Sequence, residues 1–337
     1  MTNSSPKLLV PKGSIVLVTG ANGFLGSHVV EQFLNQGYKV RGTVRSLDKV
    51  SDLEARWNEK FPGLFEPVEI ADLTKEGCYE KALQGVSAFV HTATDVTFSN
   101  DDDIIQGSID LTLNALRSAS LVPSIKSVVL TSSYICAAMP QVGQDGIEFD
   151  ENSWNDQIIE VTKQVPKDDP FRGMFIYMTS KVESEKAAWN FVKEEKPSFT
   201  FNTVLPAFCF GEIFDPVKQH GSTAGITRDV FLKVTNERAK VTPIPQDIAL
   251  LHVGAATLES FENHRFFGIS DVLTWNEILS IFRRLYPDRD IFEDFDDRRK
   301  EDTKYDTKSA LELLKEVGQT GWKPIEEAIR ENVENFA

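Results

Sequence analysis

Short apolar runs alternate with helical periodicity through the first half of the chain, with no linker between them. Residues 14–19 predict a strand. Leu25, Val29 and Phe33 then recur on one face of a predicted helix, which Gly37 ends. Further strands are predicted at 39–44, 65–70, 88–91, 126–131 and 199–205, with helical stretches between most of them. This rhythm predicts an α/β fold with a doubly wound parallel sheet. Beyond Pro206 the regularity falls away. Prolines and glycines are scattered through 206–246, and helices are expected around 247–261, 275–286 and 308–317. A smaller, mostly helical lobe is expected there.

With 337 residues, of which 41% are hydrophobic, the chain can bury a substantial core. A formal charge of −15 opposes binding to nucleic acid or anionic membranes, since either partner needs clustered cations. Any phosphate must therefore be held locally. Cys78, Cys136 and Cys209 show no CxxC spacing, which suggests neither a disulfide framework nor a zinc site and fits a reducing cytoplasm. Residues 1–12 lack the basic start and apolar block of a signal peptide, and no apolar run approaches the roughly 18 residues of a membrane span. The histidines at 28, 91, 220, 252 and 264 never fall three or four apart, so no metal is expected.

The first chemical signal is Gly20-x-x-Gly23-x-x-Gly26, directly after a strand and opening a helix. Gly20 permits the tight turn, Gly23 a close approach of pyrophosphate to the helix N-terminus, and Gly26 close packing of helix on strand. A dinucleotide-binding domain over residues 12–205 follows, with the substrate lobe over 206–337 and their interleaving left open. At the end of the second strand, a site for NAD would place an acidic residue against the ribose 2′-hydroxyl. Here stand Arg45, Ser46 and Lys49, which can neutralise a 2′-phosphate, so NADPH is expected over NADH. The alternative is a solvated basic turn beside Asp48. Asp72 and Leu73, after the third strand, are candidates for the adenine edge.

Tyr177 and Lys181 lie one helical turn apart, where an ammonium can favour the phenolate. Tyr-x-x-x-Lys alone is a weak signal. It gains weight from Ser133, at the C-terminal end of a predicted parallel strand, the edge where open α/β sheets bind ligands. A serine to hold a carbonyl oxygen, a tyrosine to exchange its proton and a lysine to tune the tyrosine together suggest nicotinamide-dependent carbonyl chemistry.

The phrases Thr19-Gly20-Ala-Asn-Gly23-Phe-Leu-Gly26, His91-Thr-Ala93, Thr131-Ser-Ser133 and Tyr177-Met-Thr-Ser-Lys181 resemble the extended short-chain dehydrogenase/reductase family. More narrowly, Arg41-Gly-Thr-Val-Arg45-Ser46, Asn202-Thr-Val-Leu-Pro206, Phe214-Asp-Pro216 and Trp275-Asn-Glu277 resemble fungal NADPH-dependent aldehyde and ketone reductases, including methylglyoxal reductase-like enzymes and relatives of dihydroflavonol reductase. The resemblance runs from about Lys12 to the C-terminal helix. It implies that Ser133 positions the carbonyl, Tyr177 protonates its oxygen, and Lys181 binds the nicotinamide ribose while hydride leaves nicotinamide C4. It also implies that Asn22, Phe24 and Leu25 surround the pyrophosphate, that Ala93 and Thr94 line the cofactor trough, and that Pro206 lies near the nicotinamide. Asn114 matches a proton-relay asparagine, with helix packing as its other reading. Two departures stand out: Ala207 replaces a frequent asparagine, and the segment 241–247 is short and carries two prolines.

Val96, Phe98, Tyr134, Cys136, Phe175 and Phe208 neighbour these motifs and are expected to touch substrate or to be core. As a group they favour a moderately bulky, partly apolar carbonyl compound. The leading expectation is an NADPH-dependent reductase, monomeric or homodimeric. Its rivals are a sugar epimerase or dehydratase that retains its cofactor, and a non-catalytic NADP(H) sensor.

Overall fold

The computed structural model describes residues 6–138, 147–219, 221–234, 247–270, 272–296 and 303–337. Val241 to Gln246, most of the segment whose shortness is noted above, lie outside the described residues, as does His220.

The first half runs β1 (Ile15–Thr19), α1 (Phe24–Asn35), β2 (Lys39–Val44), α2 (Ser51–Lys60), β3 (Phe65–Glu69), β4 (Val86–His91), α3 (Asp103–Ser120), β5 (Ser127–Thr131), β6 (Glu148–Phe149), α4 (Gln157–Gln164), α5 (Arg172–Glu195) and β7 (Thr200–Pro206). There follow α6 (Thr223–Phe231), α7 (Ile248–Thr257), β8 (Arg265–Gly268), α8 (Trp275–Leu285), β9 (Lys304–Tyr305), α9 (Lys308–Glu316) and α10 (Ile325–Val333). Seven strands form one parallel sheet in the order β3-β2-β1-β4-β5-β7-β8. The order reverses between β1 and β4, and the carboxyl ends of these strands open a crevice there. Strands such as Ser127–Thr131 are buried at every position, which suits a sheet covered by helices on both faces.

Residues 206–337 do not all stay apart from this sheet. β8 pairs with β7, Thr203 opposite Arg265 and Pro206 opposite Gly268. α7 packs on α1, so that Leu251 and Val253 share one apolar core with Val29 and Phe33. The sequence reading missed β8, whose four residues are too few to show a period. A separate lobe core gathers Phe208, Phe231, Trp275, Phe282 and Ile329. The pair β6 and β9 forms a second, two-stranded sheet.

Close packing of α7 depends on Gly254: a Cβ there would lie 2.3 Å from Leu313 Cδ2 and 2.8 Å from its Cγ. Gly254→Ala is expected to destabilise the chain by about 1–3 kcal/mol through overpacking, read as a lower urea midpoint at unchanged slope.

Candidate active site

The glycine turn is built by close contact. Gly20 takes φ +66°, and a Cβ on Gly26 would sit 2.1 Å from the Gly20 carbonyl oxygen, so α1 can start against the turn only with glycine there. Gly23 is the N-cap and offers no side-chain cap, which leaves the first amides of α1, at Phe24, Leu25 and Gly26, without that partner. The Asn22 carbonyl accepts from Gln219 Nε2 at 3.2 Å, and Arg56 bonds both carboxylate oxygens of Glu212. The segment 211–219 is thereby strapped back over the turn.

Ala21 N–H donates to the Thr43 carbonyl at 3.1 Å, which sets the end of β2 beside the turn. Beyond it Arg45 and Lys49 are exposed and have no ion-pair partner among the described residues. The Ser46 hydroxyl instead bonds Asp48. Asp72 is engaged in a local turn, accepting from the Thr74 amide at 2.9 Å and hydroxyl at 2.6 Å, and these bonds lower its pKa. Asn114 Nδ2 donates to the carbonyls of Leu73, at 2.7 Å, and Lys75, at 3.0 Å. Of its two readings, helix packing fits this geometry, since the amide is committed to carbonyls of the segment after β3.

Thr19 Oγ1 accepts from the amides of Thr92 and Ala93, both at 3.1 Å, and meets His91 Nδ1 at 2.9 Å. With its lone pairs used, its hydrogen goes to Nδ1, and His91 carries its own proton on Nε2. Ala93 and Thr94 are thus held at the mouth of the crevice by the end of β1.

Ser133 follows β5 in extended conformation, φ −158° and ψ 148°, and Tyr177 and Lys181 lie on α5, with Tyr177 packed beside Tyr134. Lys181 Nζ donates to the Thr131 carbonyl at 2.9 Å. The Thr131 hydroxyl donates to His252 Nε2 at 2.7 Å, while His252 Nδ1 donates to the Ile248 carbonyl at 2.8 Å. The Ser133 and Tyr177 hydroxyls make no hydrogen bond among the described residues. Burial raises the Tyr177 pKa, with the nearby Cys136 and Cys209 thiols adding to it. Burial likewise lowers that of Lys181, against the opposing pull of Cys136 and Glu185. The lowering of Tyr177 expected from Lys181 does not appear in the chain alone, where burial dominates and Tyr177 stands as a protonated donor.

Phe98 covers this group. Its ring meets Tyr177 edge-on at 4.9 Å, it remains 46% exposed, and its backbone is left-handed at φ 50°. Two neighbours absent from the sequence reading impose that placement. Arg172 bonds Asn100 Oδ1 at 2.9 Å and Asp102 Oδ1 at 2.6 Å, and a Cβ on Gly173 would lie 1.9 Å from the Phe98 carbonyl oxygen. Val96 is exposed on the same loop, and Ala207, just after Pro206, joins the apolar group around Tyr177 and Tyr134. Phe175 does not share the apolar group of Tyr177 and Tyr134. Two residues along a helix is a turn of about 200°, and Phe175 packs with Cys136, Ile158 and Val182 instead. Phe208 likewise belongs to the lobe core, its ring 6.2 Å from Trp275. Also unread in the sequence was Glu185, one turn beyond Lys181, although the spacing Tyr177, Lys181, Glu185 would have pointed to it.

Among the described residues no group of three His, Cys, Asp or Glu side chains could hold a metal, and no helix is long and apolar enough to cross a membrane. Residues 17–255 match the 3-beta hydroxysteroid dehydrogenase/isomerase family. The chain belongs to this family, within the extended short-chain dehydrogenases/reductases. This extended dehydrogenase/reductase is 44% identical over 332 residues to aldehyde reductase 2 of Sporidiobolus salmonicolor, covering 96% of each chain. It is 34% identical to the NAD-dependent epimerase/dehydratase terH of Aspergillus terreus, over 97% of this chain and 98% of that protein. Its fold matches the crystal structure of yeast methylglyoxal/isovaleraldehyde reductase with NADPH at a TM-score of 0.80, with 22% identity over 94% of this chain and 96% of the other.

Burial lowers the pKa of His28, and it holds His91 and His252 of this dehydrogenase/reductase neutral by lowering them to about 3 and about 4. The unfolded chain binds their protons below pH 6.5 or so while the folded chain does not, so stability falls with falling pH from that point. Between pH 6 and 5 the expected loss is roughly 1.4 kcal/mol per pH unit for each ring, read from urea unfolding across that window. A flat profile would contradict it.

Proposed function

We propose that the protein reduces aldehydes and ketones to alcohols with NADPH. The observation that carries this reading is that Lys181 bonds the last residue of β5 while Tyr177, one helical turn away, packs beside Tyr134, so that α5 meets the strand end from which Ser133 follows. The turn fits a dinucleotide, since Gly26 lets the start of α1 close against the Gly20 carbonyl and the first amides of α1 have no side-chain cap. Arg45 and Lys49, exposed and unpaired, fit a 2′-phosphate. Bound NADPH supplies the hydride; the chain supplies position and the proton.

Ser133, held in extended backbone, offers its hydroxyl to the carbonyl oxygen. Tyr177, neutral in its buried setting, gives that oxygen a proton. Lys181 spends one N–H on the Thr131 carbonyl and keeps two for the ribose hydroxyls. The positive charge of Lys181 favours the phenolate that remains, and the reverse reaction uses that phenolate as base. Phe98, Val96 and Ala207 give the carbonyl an apolar rim, which suits a moderately bulky, partly apolar substrate. The similarity to terH supports a second reading, an epimerase or dehydratase, which would hold its cofactor without net consumption.

Tyr177→Phe keeps the ring against Phe98 and removes the proton, so NADPH consumption with a panel of aldehydes, α-ketoesters and aryl ketones is expected to fall about 10²–10⁴-fold. Retained turnover would remove Tyr177 from the mechanism, and an absence of consumption by the native chain would favour the cofactor-retaining reading. Arg45→Ala is expected to weaken NADPH binding roughly 10- to 100-fold while leaving NADH binding unchanged, as titrated by nucleotide fluorescence. Equal loss for both nucleotides would assign Arg45 another role.

A further inference from the structure

Glu185 lies one turn beyond Lys181 on α5 and is 0% exposed. Its Oε2 accepts from Ser132 Oγ at 2.6 Å and Arg265 Nη2 at 3.2 Å. Its Oε1 accepts from Arg265 Nε at 2.8 Å, Thr203 Oγ1 at 2.9 Å and Trp189 Nε1 at 3.2 Å. Ser132 immediately precedes Ser133, Thr203 is on β7 and Arg265 on β8, so one carboxylate ties the catalytic helix to three neighbouring strands. Arg265 is itself fully engaged, through Nη1 to the carbonyls of Glu151, at 2.9 Å, and Ser153, at 2.6 Å, with its guanidinium 3.8 Å over the Trp154 ring.

The charges at this point are few. Lys181 faces the Cys136 thiol from the turn after β5 and His91 from β4; burial pushes Cys136 up to about 12 and His91 down to about 3, so both are neutral. Tyr177 is faced by the same Cys136 and, from the segment after β7, by Cys209, pushed up to about 12 by burial. Among the described residues, Lys181, Glu185 and Arg265 remain as the ions. Glu185 and Arg265 form a buried, two-point pair, and such a pair costs dearly when one member is removed because the other is left uncompensated.

We propose that Glu185 is a positioning residue for the reaction: it fixes the strand end bearing Ser133 against the helix bearing Tyr177 and Lys181, and by cancelling Arg265 it leaves a net charge of one cation beside Tyr177. This rests on the reading of Tyr177 as proton donor. A residue that only packed the helix would, when replaced, lower the rate evenly at every pH. The charge-cancelling role predicts shifts of opposite sign in the two partners.

The test is the pH dependence of benzaldehyde reduction by the full chain with NADPH, in the native protein, Glu185→Gln, Arg265→Met and the double variant Glu185→Leu/Arg265→Met, with Tyr177→Phe alongside. Deprotonation of Tyr177 sets the alkaline limb. Glu185→Gln adds a net positive charge and is expected to move that limb down by about one pH unit; Arg265→Met moves it up by less. In the double variant, which deletes both charges, the limb returns to its native position. Limbs that stay in place, or move the same way in both single variants, overturn the proposal. Should Glu185→Gln fail to fold, the upward shift in Arg265→Met and its reversal in the double variant decide. Full activity in Tyr177→Phe instead overturns the reading of Tyr177, and a failure there is told apart from a failure of Glu185 by that variant alone.

Discussion

The bond from the Lys181 ammonium to the Thr131 carbonyl is the constraint on which the rest of the site depends. A helix and a parallel strand have no backbone partners for each other, so their relative height is set by side chains alone. Here the last residue of β5 is held twice, through its carbonyl by Lys181 and through its hydroxyl by His252. Glu185 grips the next residue, Ser132. Ser133 follows directly, and Tyr177 stands one turn before Lys181 on α5.

Charge is distributed in keeping with this. The chain carries an excess of acids, with 51 Asp and Glu against 36 Lys and Arg, yet exposed cations stand just after β2 and a buried one meets the end of β5. Arg45 and Lys49 stand exposed just after β2, and Lys181 lies buried one helical turn from Tyr177. Burial does the opposite work on imidazoles, thiols and the phenol, holding each in its neutral form and removing competing charges from around Lys181. The exposed acids set solubility; the few buried ions set the chemistry.

The covering loop shows how a distant position acts on a local one. The left-handed backbone of Phe98 is disfavoured for a bulky residue, and it persists because Gly173 lets the loop backbone touch α5 while Arg172 holds Asn100 and Asp102. The placement of an aromatic ring over Tyr177 is thus written partly in a glycine that lies on another element.

Much of the proposed site was legible in the sequence because its signals are local. The glycine spacing, the Tyr177 and Lys181 pair, and the basic turn at Arg45 each depend on residues a few positions apart, whose geometry is set by one turn or one helix. The alternation of strands and helices up to Pro206 was legible for the same reason. What the sequence did not reveal is long-range. Phe175 and Phe208 stand as close in sequence to the motifs as Phe98 does, and helix rotation and lobe packing take them elsewhere. Glu185 meets Arg265 across 80 positions, and His252 meets Thr131 across 121. The sequence by itself determined the class of fold and the chemical groups available. Only the tertiary structure decided which of them are desolvated together, because burial and ion pairing depend on neighbours that chain order does not name.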